Sequence, residues 1–176
     1  DLWSKVGKQY FEGKLNHGES VYCEIIGTDY TGKAIQHGYT YSLEQPKVYV
    51  YRISNINSQG IEIDLGYLQM VDRCKQLEID FCPEYFYGPL WTFIENNQSE
   101  DLIEETKENS LQDIFYNKLL EKPSILDNTI TEEGFCVRVE KYPRPNIYKI
   151  KAKSFLLHES GLKDKEVTDI EEEQIL

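Results

Sequence analysis

Val48-Tyr-Val-Tyr-Arg-Ile53 narrows the choice of fold more than any other segment, because five of its six residues are β-branched or aromatic. Such side chains crowd the preceding turn of a helix but pack well on a pleated surface, so the run is expected to be a strand. Alternation puts Tyr49 and Tyr51 on one face and Val48 and Val50 on the other. A strand needs neighbours to pair its backbone, and three further runs offer themselves: Val21–Ile26 closed by Gly27, Phe135–Val139, and Ile147–Lys151. The last two are joined by a turn at Pro143–Pro145, and residues 28–38, with Gly32 and Gly38, read as turns.

Helical spacing occupies other parts of the chain. Over residues 2–15, Leu2, Trp3, Val6, Tyr10 and Leu15 fall near one side, and over 65–77 Leu65, Leu68, Val71, Cys74 and Leu77 do the same. Ser110 reads as the N-cap of a third helix carrying Leu111, Ile114, Phe115, Leu119 and Leu120 and ended by Pro123. Residues 83–88 read as extended or turn, 95–109 as an acidic helical or flexible stretch, and Lys163 opens a charged helix. Strands separated by helices and long irregular links make the expected class α+β. At 176 residues this is one domain or part of a larger one.

The 19 basic and 31 acidic residues give a net charge of −12, which excludes a protein that is basic all over. The acids are clustered, with eleven against three bases in 95–133, whereas Lys141–Lys153 holds five bases and no acid. A local phosphate site is therefore compatible with the charge. Cys23, Cys74, Cys82 and Cys136 form no Cys-x-x-Cys pair; they read as reduced intracellular thiols, Cys136 as a small buried strand residue, and zinc is not expected. No apolar run approaches the roughly 20 residues that span a bilayer, so the expectation is a cytoplasmic protein without a membrane partner.

Four short patterns carry possible chemistry. Glu24, set among Val21, Tyr22, Ile25 and Ile26, is either solvated on an edge strand or meets a donor or metal, since an isolated carboxylate is expensive to bury. Tyr49 and Tyr51 either floor a pocket and stack a base or belong to the core. Glu133 precedes Gly134 at a strand entrance, where a ligand could approach the backbone closely. Period two sends Lys149, Lys151 and Lys153 to one face, where like charges repel unless solvent or an anion such as phosphate intervenes.

The order of these patterns resembles motifs III, IIIa, IV and V of covalent nucleotidyltransferases, and among them the ATP-dependent RNA ligases. The resemblance runs from about Lys14 to Ser160 and is most specific at Glu133-Gly-Phe-Cys-Val-Arg138 and Tyr148-Lys-Ile-Lys151, with Glu78–Gly88 similar to the family's link between motifs IIIa and IV. It implies an ATP-grasp-like ligase core of antiparallel sheets with flanking helices. It also implies a reaction that joins 5′-phosphate and 3′-hydroxyl RNA ends through lysyl-AMP and AMP-RNA intermediates, with nicked duplexes among the candidate substrates of an RNA-repair enzyme. On this resemblance Glu24 contacts the ribose or metal-bound water, and Tyr51, or else Tyr49, stacks on adenine. Glu133 helps hold Mg²⁺ or Mn²⁺, and Lys149 and Lys151 neutralise the phosphates of ATP. DNA ligases, mRNA-capping guanylyltransferases and a non-catalytic nucleotide- or RNA-binding protein are the alternatives.

The sequence departs from the family pattern in three places. Cys23 replaces a usual glycine, Arg52 replaces a usual aspartate, and no Lys-x-Asp/Asn-Gly occurs to supply the nucleophile. Lys14-Leu-Asn-His-Gly18 has an extra residue before its glycine and lies only ten positions before Glu24. With Asp1 as first residue, the expectation is that 1–176 is part of an adenylyltransferase domain, incomplete at its N-terminus and inactive alone. Residues 163–176 would begin a C-terminal helix or extension.

Overall fold

The computed structural model describes residues 1–97 and 114–163. They form two compact units, one of residues 1–82 and 138–147, the other of the remaining described residues. Small antiparallel sheets and four helices occur among them, so the class is α+β, as the alternation of patterns implied.

In the first unit, helix α1 spans Leu2–Phe11. Asp1 caps it by accepting a hydrogen bond from the Ser4 amide at 2.7 Å, which satisfies one of the donors a helix start leaves unpaired. The helix stops short of the expected residue 15 because Glu12 is extended and Gly13 takes φ +74°. Leu2 and Val6 are buried, whereas Trp3 and Leu15 are exposed, so the apolar side is narrower than its letters suggested.

Strands β1 (Glu19–Ile26), β2 (Lys47–Ile56) and β3 (Glu62–Asp64) form an antiparallel sheet in that order. The β1–β2 register pairs Tyr22 with Arg52 but Cys23 with Val50, leaving Tyr51 as an extra residue. This is a β-bulge, which bends the strand and re-aims side chains. Its effect is visible in the burial pattern: Val48 and Val50 point into the core, and the next inward residue is Ile53 rather than residue 52. Gly27 closes β1 at φ +101°, where a Cβ would sit 2.7 Å from the Gln45 carbonyl oxygen.

Helix α2 spans Tyr67–Leu77 and buries Met70, Cys74 and Leu77 against Val48, Val50 and Ile53. The spacing had placed Leu68 on the inner side, yet it is exposed; Met70 is inside instead, because it lies four and seven residues before Cys74 and Leu77 and so on their face of the helix, with Leu68 nearly opposite. Strand β3, only three residues long, had no periodicity to announce it.

The second unit contains α3 (Leu90–Asn97), a π-helical turn at Phe115–Leu119, and α4 (Lys153–Lys163). Its core is aromatic: Phe86, Phe93, Phe115 and Phe135 follow one another at ring-centroid distances of 5.3, 6.1 and 5.1 Å. Edge-to-face and tilted pairs of this kind add to the area they bury. Helix α4 was not expected from the sequence, nor was the start of α3 at Leu90. Of the acidic stretch expected at 95–109 only 95–97 are described, within α3; Ser110, Leu111 and the tail beyond 163 lie outside the described residues.

Strands β4 (Gly134–Val139) and β5 (Asn146–Lys151) pair in a two-stranded sheet. The connecting residues 140–145 are too few for a parallel crossover, so the pair is a hairpin. Two expectations fail here. Cys136 is exposed, because inward-pointing Phe135 sends its neighbour outward. Lys153 is not on the strand face with Lys149 and Lys151, because β5 ends at Lys151 and Lys153 starts α4.

Candidate functional site

Glu24, Tyr49 and Tyr51 come together on the first sheet. Glu24 is exposed and lies directly across from Tyr49, and such cross-strand pairs share a face. Tyr51, on the bulge, is 39% exposed. Partial burial raises its hydroxyl above the usual tyrosine range, and the nearby Glu24 charge adds to the effect. Cys23, beside them, is pushed up to about 11 by burial and then by Glu24, so its thiol is neutral at physiological pH. The carboxylate thus meets solvent and a phenolic ring, the environment a solvated site residue requires. Tyr49 is half-buried, with the Lys47 ammonium 5.1 Å from its ring centre and bonded to Asp80 at 3.0 Å. Of the two tyrosines, Tyr51 has the freer ring.

The backbone behind Tyr51 is held by a side chain from β4. Arg138 donates to the Tyr51 carbonyl at 3.4 Å, to the Leu65 carbonyl at 2.7 Å, and to Glu140 Oε1 at 2.7 Å. Glu140 also accepts from the Tyr67 amide at 3.1 Å, at the start of α2.

Arg52, across from Tyr22 on the same sheet face, is taken up by other partners. Its guanidinium lies 4.2 Å from the Tyr22 ring centre, forks onto Asp64 at 2.7 and 2.8 Å, and reaches Glu62 at 3.1 Å. Glu62 further accepts from Tyr22 and Ser54 and pairs with Arg144. These hydroxyl bonds, first Ser54 and then Tyr22, together with the two arginines hold its carboxyl below the usual range.

In the second unit, Glu133 and Lys151 are neighbours across the hairpin. The Glu133 carbonyl accepts from the Ala152 amide at 2.9 Å. Gly134 takes φ +145°, and a Cβ there would lie 2.1 Å from the Ile150 carbonyl oxygen and 2.8 Å from Lys151 Cα. Only glycine permits this approach, and it ties the acid of the third short stretch to the lysine of the fourth. Lys151 already has an anionic partner: its Nζ bonds both carboxylate oxygens of Glu159 on α4, at 2.8 and 2.9 Å, and lies 4.9 Å from the Phe155 ring centre. Lys149 is exposed on β5.

Arg138 and Glu159 were missed as site-shaping residues. The partners of Arg138 are distant in sequence, and Glu159 is joined to Lys151 only once a strand gives way to a helix, so no single period reveals either. Lys14, the near-match to a nucleophile, donates to the Leu77 carbonyl at 3.3 Å. An open cleft of about 470 Å³, lined by residues that include Tyr10, Pro46, Lys47, Val48 and Asp80, contains none of the candidate residues.

Among the described residues no group of three or more His, Cys, Asp or Glu side chains is placed to hold a metal ion, and no helix is long and apolar enough to cross a membrane. Mg²⁺ bound mainly through substrate phosphates and one carboxylate needs no such group. No family model, curated protein or solved structure matches the chain.

Proposed function

We propose that the chain supplies the motif III to motif V region of an ATP-dependent RNA ligase. In this reading a lysine amine attacks the α-phosphorus of ATP, forming a P–N bond as the bond to pyrophosphate breaks. AMP then passes to an RNA 5′-phosphate, and an RNA 3′-hydroxyl displaces it to form the phosphodiester. The observation that carries the reading is the glycine-dependent contact between Glu133-Gly134 and the end of β5. It makes neighbours of an acid and a lysine that are distant in sequence, the pair that phosphoryl transfer by positioning and charge neutralisation requires. The exposed Glu24 and Tyr51 on one sheet face add support, as a hydrogen-bonding acid beside a ring able to stack on a base. A bound divalent ion would neutralise phosphate charge beside Glu133.

The test is transfer of label from α-³²P-ATP to the full-length gene product, read after denaturing electrophoresis, together with sealing of nicked duplex RNA. Both activities are expected, and Glu133→Ala and Lys151→Ala should abolish them without loss of folded circular dichroism. The 176-residue chain alone, which contains no Lys-x-Asp/Asn-Gly, should remain unlabelled, since covalent transfer needs the nucleophile. A full-length product that neither takes label nor seals ends would overturn the reading, as would sealing at the parental rate by the Lys151 variant. Label from α-³²P-GTP but not ATP would point instead to a capping-type guanylyltransferase.

A further inference from the structure

We infer that Arg138 is a positioning residue for nucleotide-base recognition, acting through the bulge that presents Tyr51; this rests on the reading above. A bulge adds a residue that the ladder does not pair, and Tyr51 is that residue. Val50 on one side is tied down through its own groups, donating to the Asp80 carbonyl and accepting from the Cys82 amide. Ile53 on the other side accepts from the Leu65 amide at 2.9 Å. Between these anchors the Tyr51 carbonyl is met by the Arg138 guanidinium.

The guanidinium is itself held. Its side chain is 13% exposed, and its planar fork spends separate N–H groups on the Leu65 carbonyl and the Glu140 carboxylate. Arg138 therefore references the bulge against the β3–α2 connection, while the Tyr51 ring stays exposed for a planar ligand. Lysine cannot reproduce this arrangement, because a point ammonium lacks the rigid fork. The acid set against it, Glu140, also fixes the first turn of α2 through the Tyr67 amide, so the clamp is braced at both ends.

The experiment compares ATP with inorganic tripolyphosphate, which has the charge but no base, by equilibrium binding to the full-length gene product and its Arg138→Lys, Tyr51→Ala and doubly substituted forms. Loss of a stacking ring should weaken ATP about 5- to 150-fold. Arg138→Lys should weaken ATP by a smaller factor, roughly 3- to 10-fold for one hydrogen bond to the Tyr51 carbonyl misplaced, and leave tripolyphosphate unchanged. The double variant should bind ATP no more weakly than Tyr51→Ala alone, because both changes remove one interaction. Equal loss for ATP and tripolyphosphate, or additive losses in the double variant, would overturn the inference while leaving the ligase reading intact. Failure of the parent to bind ATP would overturn both. Arg138→Lys retains a cation and much of the side-chain volume, so it separates mispositioning from unfolding; thermal melting of each variant checks this.

Discussion

Gly134→Ala is the sharpest single perturbation available. The added methyl would lie 2.1 Å from the Ile150 carbonyl oxygen and 2.8 Å from Lys151 Cα, and both are backbone atoms that no rotamer change can move. Relief requires β4 and β5 to separate at this point, breaking the 2.9 Å bond from the Ala152 amide to the Glu133 carbonyl. Two costs add. A residue with a side chain held at φ +145° is strained by about 1–3 kcal/mol, and overpacking costs about 1–3 kcal/mol more. The sum, roughly 2–6 kcal/mol, is a large share of a typical domain's stability. Amide hydrogen exchange reports it locally: the Ala152 amide should exchange faster by about 30-fold or more. The control is Gly7→Ala, in the interior of α1, where a Cβ meets nothing within 4 Å; it should stabilise by about 0.5–1 kcal/mol. If Gly134→Ala left the exchange of Ala152 and the melting temperature unchanged, the close approach of the two strands would be refuted, and with it the main support for pairing Glu133 with Lys151.

Three further outcomes follow from the ion pairs. Arg52→Ala strands the Asp64 carboxylate, whose side chain is only 3% exposed, and should destabilise the first unit by about 3–5 kcal/mol in urea unfolding; a loss below 1 kcal/mol would contradict the role given to the fork. Glu19 bonds Arg73 at 2.7 and 2.8 Å, and Arg73, followed by the Asn16 amide, holds its carboxyl below the ordinary 4.5 against the opposing effect of burial. Its folded value is depressed, so the stability it contributes is fully present above about pH 4.5 and is lost as the pH falls through the lower folded value. Glu19→Gln should accordingly flatten the fall in unfolding free energy below pH 4.5, and an unaltered acid limb would exclude this group as its source. Glu159 competes for the lysine proposed to meet phosphate, so Glu159→Gln should tighten tripolyphosphate binding several-fold at low salt; weaker binding would show that the carboxylate orients Lys151 rather than competing for it.

The legible parts of the fold are those governed by local chemistry. Val48–Ile53 could be read because β-branched and aromatic residues favour one conformation, and Phe135–Val139 and Ile147–Lys151 because a Pro-rich turn separates two such runs. The bulge at Tyr51 was not legible: it arises where Cys23 and Tyr22 choose partners two residues apart, a property of two strands together. The same limit hid β3, whose three residues are stabilised by their acids meeting Arg52 rather than by any period of their own. Helix α4 escaped because Lys149, Lys151 and Lys153 continue a strand-like alternation across Ala152, where the backbone turns helical. At the site, Glu24, Tyr51, Glu133 and Lys151 were found as letters, but Arg138 and Glu159 act through partners supplied only by folding.

Two departures from the ligase pattern, Cys23 and Arg52, bear on the proposal, and both flank the bulge. A charge change beside a stacking ring would ordinarily disturb an anionic ligand's site, and an arginine in place of an acid reverses the sign. Here the extra residue in β2 changes the phase of the strand, so Arg52, which strict alternation would send inward with Val48 and Val50, instead pairs with Tyr22 on the outer face with Asp64 and Glu62 as partners. Arg52 thus lies on the sheet face that holds Glu24, and its charge is met there by two carboxylates. Cys23 remains a neutral thiol, since burial and Glu24 raise it to about 11. Neither substitution therefore leaves an uncompensated positive charge on the Glu24–Tyr51 face. The bulge that makes Tyr51 an exposed ring is also what lets the strand accept an arginine at the next position, so the departure and the proposed site have one structural cause.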